Sequence, residues 1–275
     1  MSLPAETAVL TTHFGALDWL HLLRDRVSEC FPELPDDRFY VIDQNRTRES
    51  ETELRRSYPG IHVLQFPPSP RHIDVTGHDH GHVLNLAVRT ISRTHAYLIV
   101  FDSDAHPVSP AVRQLLVPLL VEHDAVLAAR FPTGPESHPC FMAFGPNVPR
   151  DRLLFDDRQL DAGTDTGRRI FMQLTELGLD VHLLRPEPAF GGVWGTFFME
   201  RTLYHHGSGS FEYSGNPRLT GQWATWKRRE RFARRHVFAH SYELSPSERA
   251  FFAASRALAA GKRRAAAAAS SVRPR

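Results

Sequence analysis

Asp102, Ser103 and Asp104 stand directly after an unbroken apolar run, Ala96 to Phe101, within the stretch GHVLNLAVRTISRTHAYLIVFDSDAHP. Two carboxylates two positions apart can turn toward one hard cation, and the small Ser103 leaves room between them. A cation held this way can bridge the oxygens of a diphosphate. The competing reading makes Asp102 and Asp104 caps of the next helix. Ser109 followed by Pro110 is the better helix start, with Val112, Leu115, Leu116, Leu119 and Leu120 behind it.

Other groups could serve the same chemistry. His205 and His206 sit in YHHGSGS, beside a flexible backbone turn, and two adjacent histidines rarely share a core. Asp165 falls in TDTGRRIFMQLTELG, which reads as a helix from Thr164 to Gly178. In its first turn the helix dipole would keep a carboxylate ionised. His72, Asp74, His78, Asp79, His80 and His82 crowd one Gly-punctuated loop after Pro67, Pro68 and Pro70. No second ligand pair at a characteristic spacing accompanies them, which argues against structural zinc and for a polar rim that hydrogen-bonds phosphate or ribose. His82 and Asn85 read as lying at a helix start, where free backbone amides attract anions.

Parallel-sheet elements must position these residues. Ala8 to Thr12 reads as a strand followed by His13-Phe14-Gly15 and a helix carrying Leu17, Leu20, Leu23 and Val27. Phe39 to Ile42 repeats the pattern and ends on Asp43, before a charged helix from Glu49 to Tyr58. Ile61 to Phe66 makes a third strand. The helix with Leu84, Ala87, Val88 and Ile91 on one face leads into the Ala96–Phe101 strand, whose continuous apolar character is that of a strand covered on both faces. Such an order argues for a parallel, doubly wound α/β sheet, in which ligands bind outside the carboxyl ends of the strands. No Gly-x-Gly-x-x-Gly follows the first strand. Further strands are expected at Ala125–Arg130, Cys140–Phe144 and Leu179–Leu184. Pro118 should kink or shorten its helix, and the loops 131–139 and 190–198 should flank the site, the second as a mobile flap or acceptor wall.

At 275 residues the chain can bury one large core or a core with an appendage. Its net charge of +2 hides an asymmetry: residues 1–226 sum to −8 and residues 227–275 to +10. The basic end, WATWKRRERFARRH and an Ala-rich tail, lacks the interleaved stacking aromatics of a nucleic-acid groove, so no nucleic-acid partner is expected. An anionic membrane surface or a second copy of the chain suits it better. Cys30 and Cys140 read as reduced thiols of a cytoplasmic protein, possible membrane contact being peripheral through 223–260. No apolar run reaches the roughly 20 residues of a membrane span, and no signal peptide is read.

Across about residues 7 to 212 the chain resembles a GT-A fold glycosyltransferase and is similar to glycosyltransferase family 2. The likeness rests on Gly81, Asn85 and Ala87 leading into VFDSD, on DTGRRIFMQLTELG, and on HHGSGS. It implies a GT-A, Rossmann-like, mostly parallel twisted sheet flanked by helices, the catalytic domain 1–222; composition marks 223–260 as a basic aromatic helical extension and 261–275 as a disordered tail. It further implies that Thr11, Thr12, His13, Phe14 and Asp43 hold the nucleobase. Asp102, with Ser103, would lie near ribose and metal, and Asp104 would bind the divalent ion. His205, or else His206, would complete the protein ligands. Asp165 stands where the family has the second residue of a Glu-Asp pair, Thr164 replacing the Glu, and would be the base of an inverting transfer. The implied cofactor is Mn²⁺ or Mg²⁺, the donor a nucleotide-diphosphate sugar with UDP ahead of GDP or dTDP, and the acceptor a hydroxyl. A sugar nucleotidyltransferase and a non-catalytic binding module are the alternatives; the first would be expected to carry a Gly-rich basic loop where this chain has THFGALDW.

Overall fold

A computed structural model of the chain describes residues 2–15, 17–69, 76–129, 136–155, 166–207, 223–254 and 257. Its elements are β1 (Thr7–His13), α1 (Asp18–Cys30), β2 (Phe39–Asp43), α2 (Arg48–Ser57), β3 (His62–Leu64), α3 (Thr76–Ile91), β4 (Tyr97–Phe101), β5 (Ala105–Pro107), α4 (Ala111–Glu122), β6 (Ala125–Ala129), β7 (Ser137–Phe144), α5 (Ile170–Glu176), β8 (Val181–Leu184), β9 (Glu187–Pro188), β10 (Thr196–Phe198), β11 (Leu203–His205) and α6 (Trp223–Phe232).

Seven strands form the main sheet in the order β3-β2-β1-β4-β7-β6-β8. All neighbours are parallel except around β7, which runs antiparallel to both β4 and β6. Alternate residues of each strand serve opposite cores. Ile99 and Phe101 of β4 join Leu20, Leu23 and Val27 of α1 and Val112 and Leu116 of α4 on one face. Leu98 and Val100 join Val83, Leu84, Ala87 and Val88 of α3 and Ile170 and Leu174 of α5 on the other. Both faces of β4 are thus dry, and its first polar residue at the carboxyl end is Asp102. The structure is the mixed α/β sandwich that the order of elements predicts.

A second sheet, β5-β11-β10-β9, is antiparallel and sits beside the first. Its outer face carries a third core of Phe190, Phe197 and Tyr204, covered by Phe232, Ala233, Val237 and Leu244 from the C-terminal segment. The basic side chains of Arg234 and Arg235 remain exposed there. Gly195 has a φ of 75°, and a Cβ at that position would lie 2.4 Å from the Tyr204 hydroxyl, so the tight approach of β10 to Tyr204 admits only glycine.

Several expectations change. The segment 190–198 is no flap: Phe190, in a 3-10 turn, and Phe197 and Phe198, on β10, are 4%, 1% and 2% exposed and form core, because large aromatic side chains are worth more buried than displayed. The third strand shrinks to His62–Leu64, whereas β7 starts three residues earlier than expected, at Ser137. Helix α4 passes through Pro118, held by Val112, Leu116, Val117 and Leu120 buried in the core, and the Ser109 hydroxyl accepts the Ala111 N–H at its start.

Candidate metal and nucleotide site

Long-range pairing builds the candidate metal corner. At the carboxyl end of β4 the Asp102 N–H donates to the Cys140 carbonyl (3.1 Å), and the Asp102 carbonyl accepts the Ala105 N–H (3.0 Å), closing a turn that buries Asp104. Strand β5 follows at once and pairs antiparallel with β11, setting His205 opposite Ala105 and Tyr204 opposite His106. The His206 N–H then donates to the Asp104 carbonyl (3.0 Å). This register carries the late histidine onto the early carboxylates: His205 Nε2 lies 3.4 Å from Asp104 Oδ1. Asp102, Asp104 and His205 each offer a ligand atom, all within 4.8 Å of one another.

The same corner holds two groups that the sequence reading did not count as ligands, His138 and Cys140 on β7. Together with His205 they also offer ligand atoms within 4.8 Å of one another. Burial pushes the Cys140 thiol up, but the neighbouring His205 and His138 imidazoles outweigh that and hold it below its ordinary value. Burial works against protonating His205, yet Cys140 and Asp104 raise its imidazole well above the ordinary range. Carboxylate, thiol and imidazole thus draw a positive charge into a nearly dry corner, where a divalent cation can take the proton's place. A donor set of two carboxylates and one imidazole fits a Mn²⁺- or Mg²⁺-class ion.

His206 points elsewhere. Its Nδ1 lies 2.9 Å from the Tyr204 hydroxyl and its ring packs on Trp19, 5.0 Å between centroids. Burial pushes its imidazole down to about 4, which keeps it neutral. Among the described residues it belongs to neither ligand group. Behind β5, His106 Nε2 meets the Tyr242 hydroxyl at 2.7 Å, so the C-terminal segment braces the strand that leaves Asp104.

At the other end of the crevice, β1 and β2 finish side by side with His13 opposite Asp43. Thr11, Thr12 and His13 are buried, and Phe14 is half-buried at the exit. Burial lowers the His13 imidazole, with Asp43 opposing it. Asp43 has no exposed surface. Its carboxylate accepts the Asn45 N–H (3.1 Å), the Ser50 hydroxyl (2.9 Å) and the Gln65 amide (2.9 Å), and so shapes the loop between β2 and α2. A second clasp closes that loop: Arg46, at φ 55°, reaches both oxygens of buried Asp79 (2.7 Å each) and the Phe66 carbonyl (2.8 Å). His80 joins the two ends, its Nδ1 3.3 Å from Gln44 Oε1 and its Nε2 3.4 Å from Asp102 Oδ1.

His82 and Asn85 are not at a helix start. Helix α3 begins at Thr76, so both lie inside it, away from its free N–H groups. Asn85 is buried, and its Oδ1 accepts the Phe155 N–H (2.7 Å), a structural bond. The glycines at 77 and 81 misled the reading; Val83, Leu84 and Ala87, buried against the sheet, extend the helix through them. His72, Asp74, Asp165 and Ser210 lie outside the described residues. Helix α5 begins at Ile170, later than the Thr164 start expected from the sequence. Just before the helix the chain is fixed: Gly167, at φ 70°, donates its N–H to the Phe155 carbonyl (3.0 Å), and its carbonyl accepts the Ser137 hydroxyl (2.7 Å).

No protein-family model matches the chain, and no curated protein sequence matches it. Solved structures do resemble it in part. Mannosyltransferase PcManGT from Pyrobaculum calidifontis, in complex with GDP-Man and Mn²⁺, is 17% identical over 65% of this chain and 54% of its own, with a TM-score of 0.46. S. aureus TarS 1-349 in complex with UDP-GlcNAc is 15% identical over 65% and 56%, with a TM-score of 0.41. The 4-diphosphocytidyl-2C-methyl-D-erythritol synthase of Anaerococcus prevotii is 11% identical over 66% and 89%, with a TM-score of 0.44. The chain thus spans little more than half the length of the first two. At these identities and scores the likeness carries no inference about activity, which has to come from the site's own geometry.

Proposed function

We propose that the chain is a metal-dependent glycosyltransferase of the family 2 kind, moving a sugar from a nucleotide-diphosphate donor, UDP-linked by preference, to an acceptor hydroxyl with inversion. The observation that carries the reading is the convergence of Asp102, Asp104 and His205 at the carboxyl end of a central strand, within 4.8 Å of one another, the position where open α/β sheets bind ligands. In this reading Asp104 and His205 hold a divalent ion, Mn²⁺ by preference since an imidazole is among the ligands, and Asp102 reaches both ion and ribose with Ser103 beside it. A bound ion would neutralise the charge that develops on the leaving diphosphate. Thr11, Thr12, His13 and Phe14 form the floor for the base, and Asp43 fixes the wall beside it through the three bonds it accepts. Asp165 takes the proton of the attacking hydroxyl. Residues 1–222 are the catalytic domain, and the basic stretch within 223–260 meets a membrane surface or second copy; its exposed Arg234 and Arg235 support that reading.

The test is a panel of nucleotide-diphosphate sugars, each with and without Mn²⁺, followed by thermal unfolding and by release of nucleoside diphosphate. The reading predicts that one nucleotide series raises the melting temperature only with Mn²⁺ and that its diphosphate is released. Pyrophosphate release from a nucleoside triphosphate and sugar phosphate would instead mark a nucleotidyltransferase. Asp165→Asn should fold and bind as the wild type does and lose transfer by a factor on the order of 10² to 10⁴.

A further inference from the structure

Strand β7 runs antiparallel to β4 beside the metal corner, Phe141 opposite Phe101, and carries His138 and Cys140 two residues apart on one face. Both look toward His205: the rings of His138 and His205 are 4.9 Å apart between centroids. The Cys140 side chain is 1% exposed, while the His138 ring stays partly open to solvent. We propose that His138, Cys140 and His205 form a second seat, selective for a thiophilic divalent cation with Zn²⁺ as the representative ion. It lies beside the seat for the harder ion and excludes it.

The chemistry follows from the donors. Two imidazoles and a thiolate are the ligands a borderline-soft ion takes in four-coordinate sites, while Mn²⁺ and Mg²⁺ favour the carboxylate oxygens of Asp102 and Asp104. The fourth position is open to Asp104, whose Oδ1 is already 3.4 Å from His205 Nε2, or to water entering past His138. Because both ligand sets draw on the one His205 imidazole, the two ions compete, so Zn²⁺ inhibits and does not replace the activating metal. That competition rests on the glycosyltransferase reading; the soft seat itself does not. Loading has a cost at His138, whose Nδ1 accepts the Cys140 N–H at 3.1 Å. A metal-bearing ring must release that bond, either to the ion or by turning over. His138 is therefore the weakest of the three ligands and Cys140 the one that selects the ion.

The experiment titrates Co²⁺, a spectroscopic stand-in for Zn²⁺, into the full-length reduced chain and follows the thiolate-to-cobalt charge-transfer band in the near ultraviolet. In parallel, Mn²⁺ binding is read by electron paramagnetic resonance. The proposal expects the band in the wild type, its removal by equimolar Zn²⁺, and displacement of bound Mn²⁺ by that same Zn²⁺. Cys140→Ser should lose the band and keep Mn²⁺, Asp104→Asn should keep the band and lose Mn²⁺, and His138→Ala should weaken Zn²⁺ by about tenfold. Absence of the band in the wild type overturns the proposal without recourse to any variant. Persistence of the band in Cys140→Ser overturns it too, since the thiolate would then be Cys30. A band without any Mn²⁺ binding leaves the soft seat standing and removes the glycosyltransferase reading instead.

Discussion

Around the ends of β1 and β2 the acidic groups are met by hydrogen-bond donors: Asp43 accepts Asn45, Ser50 and Gln65, and Asp79 of α3 accepts Arg46 and the Ser69 N–H (2.9 Å). At the end of β4 the groups that matter come from three distant parts of the chain, Asp102 and Asp104, His138 and Cys140, and His205, brought together by strand pairing. The first region is a hydrogen-bonded frame whose charges are met by its own donors. The second gathers carboxylates, imidazoles and a thiol that could hold a cation. Loss of a residue should therefore destabilise the first region and disarm the second.

The largest effect expected is at the metal corner. Asp104→Asn should remove turnover and Mn²⁺-dependent stabilisation by nucleotide, with Asp102→Asn doing so in part, while both variants melt close to the wild type in the absence of metal. Wild-type Mn²⁺ dependence in Asp104→Asn would erase the contrast between the regions.

Next comes the frame. Asp43→Ala strips the acceptor from three donors, two of them side chains that can turn to water, and should cost about 2–4 kcal/mol in denaturant unfolding. A loss of catalysis with unchanged stability would mean that Asp43 acts on ligand and not as frame.

Acidity should act through His106, in the second sheet. Burial pushes this imidazole down to about 3, so it stays neutral in the fold, whereas in the unfolded chain it takes a proton below its ordinary 6.5. Its contribution is complete above about pH 6.5, is lost as the pH falls, and levels off below about pH 3. Within that window the slope is at most about 1.4 kcal/mol per pH unit. Melting curves of wild type and His106→Gln should converge on acidification, and parallel curves would refute the assignment.

The smallest effect is at Tyr242, which reaches His106 from the C-terminal segment. Tyr242→Phe should cost about 1 kcal/mol of stability and weaken Mn²⁺ binding a few-fold by loosening β5. Unaltered stability and affinity would show that the C-terminal cover does not brace the site.

The first region and the sheet around it were legible because their signals are local. Apolar periodicity placed β1, β2, β4, α1 and the inner part of α3, and a strand buried on both faces announces where its polar end must be. The metal corner was legible only in its parts. Asp102 and Asp104 could be read from their place after β4, but nothing local shows that β11 pairs with β5, so His205 and His206 could not be separated until the register put Ala105 opposite His205. His138 and Cys140 went unread as ligands because His138 fell in the stretch 131–139 read as a loop and Cys140 was read as a reduced thiol, while their partner His205 lies on another strand. The segment 190–198 misled for a related reason: glycines suggest mobility, but here they let aromatic residues close on Tyr204.

The central claim is that the pairing of β5 with β11 assembles a divalent-cation site from Asp102, Asp104 and His205. Electron paramagnetic resonance of Mn²⁺ titrated into wild type, His205→Ala and His206→Gln tests it most directly. The account predicts one ion bound with similar affinity by wild type and His206→Gln, and at least tenfold weaker binding by His205→Ala. Binding that survives in His205→Ala but fails in His206→Gln would contradict the register-built site.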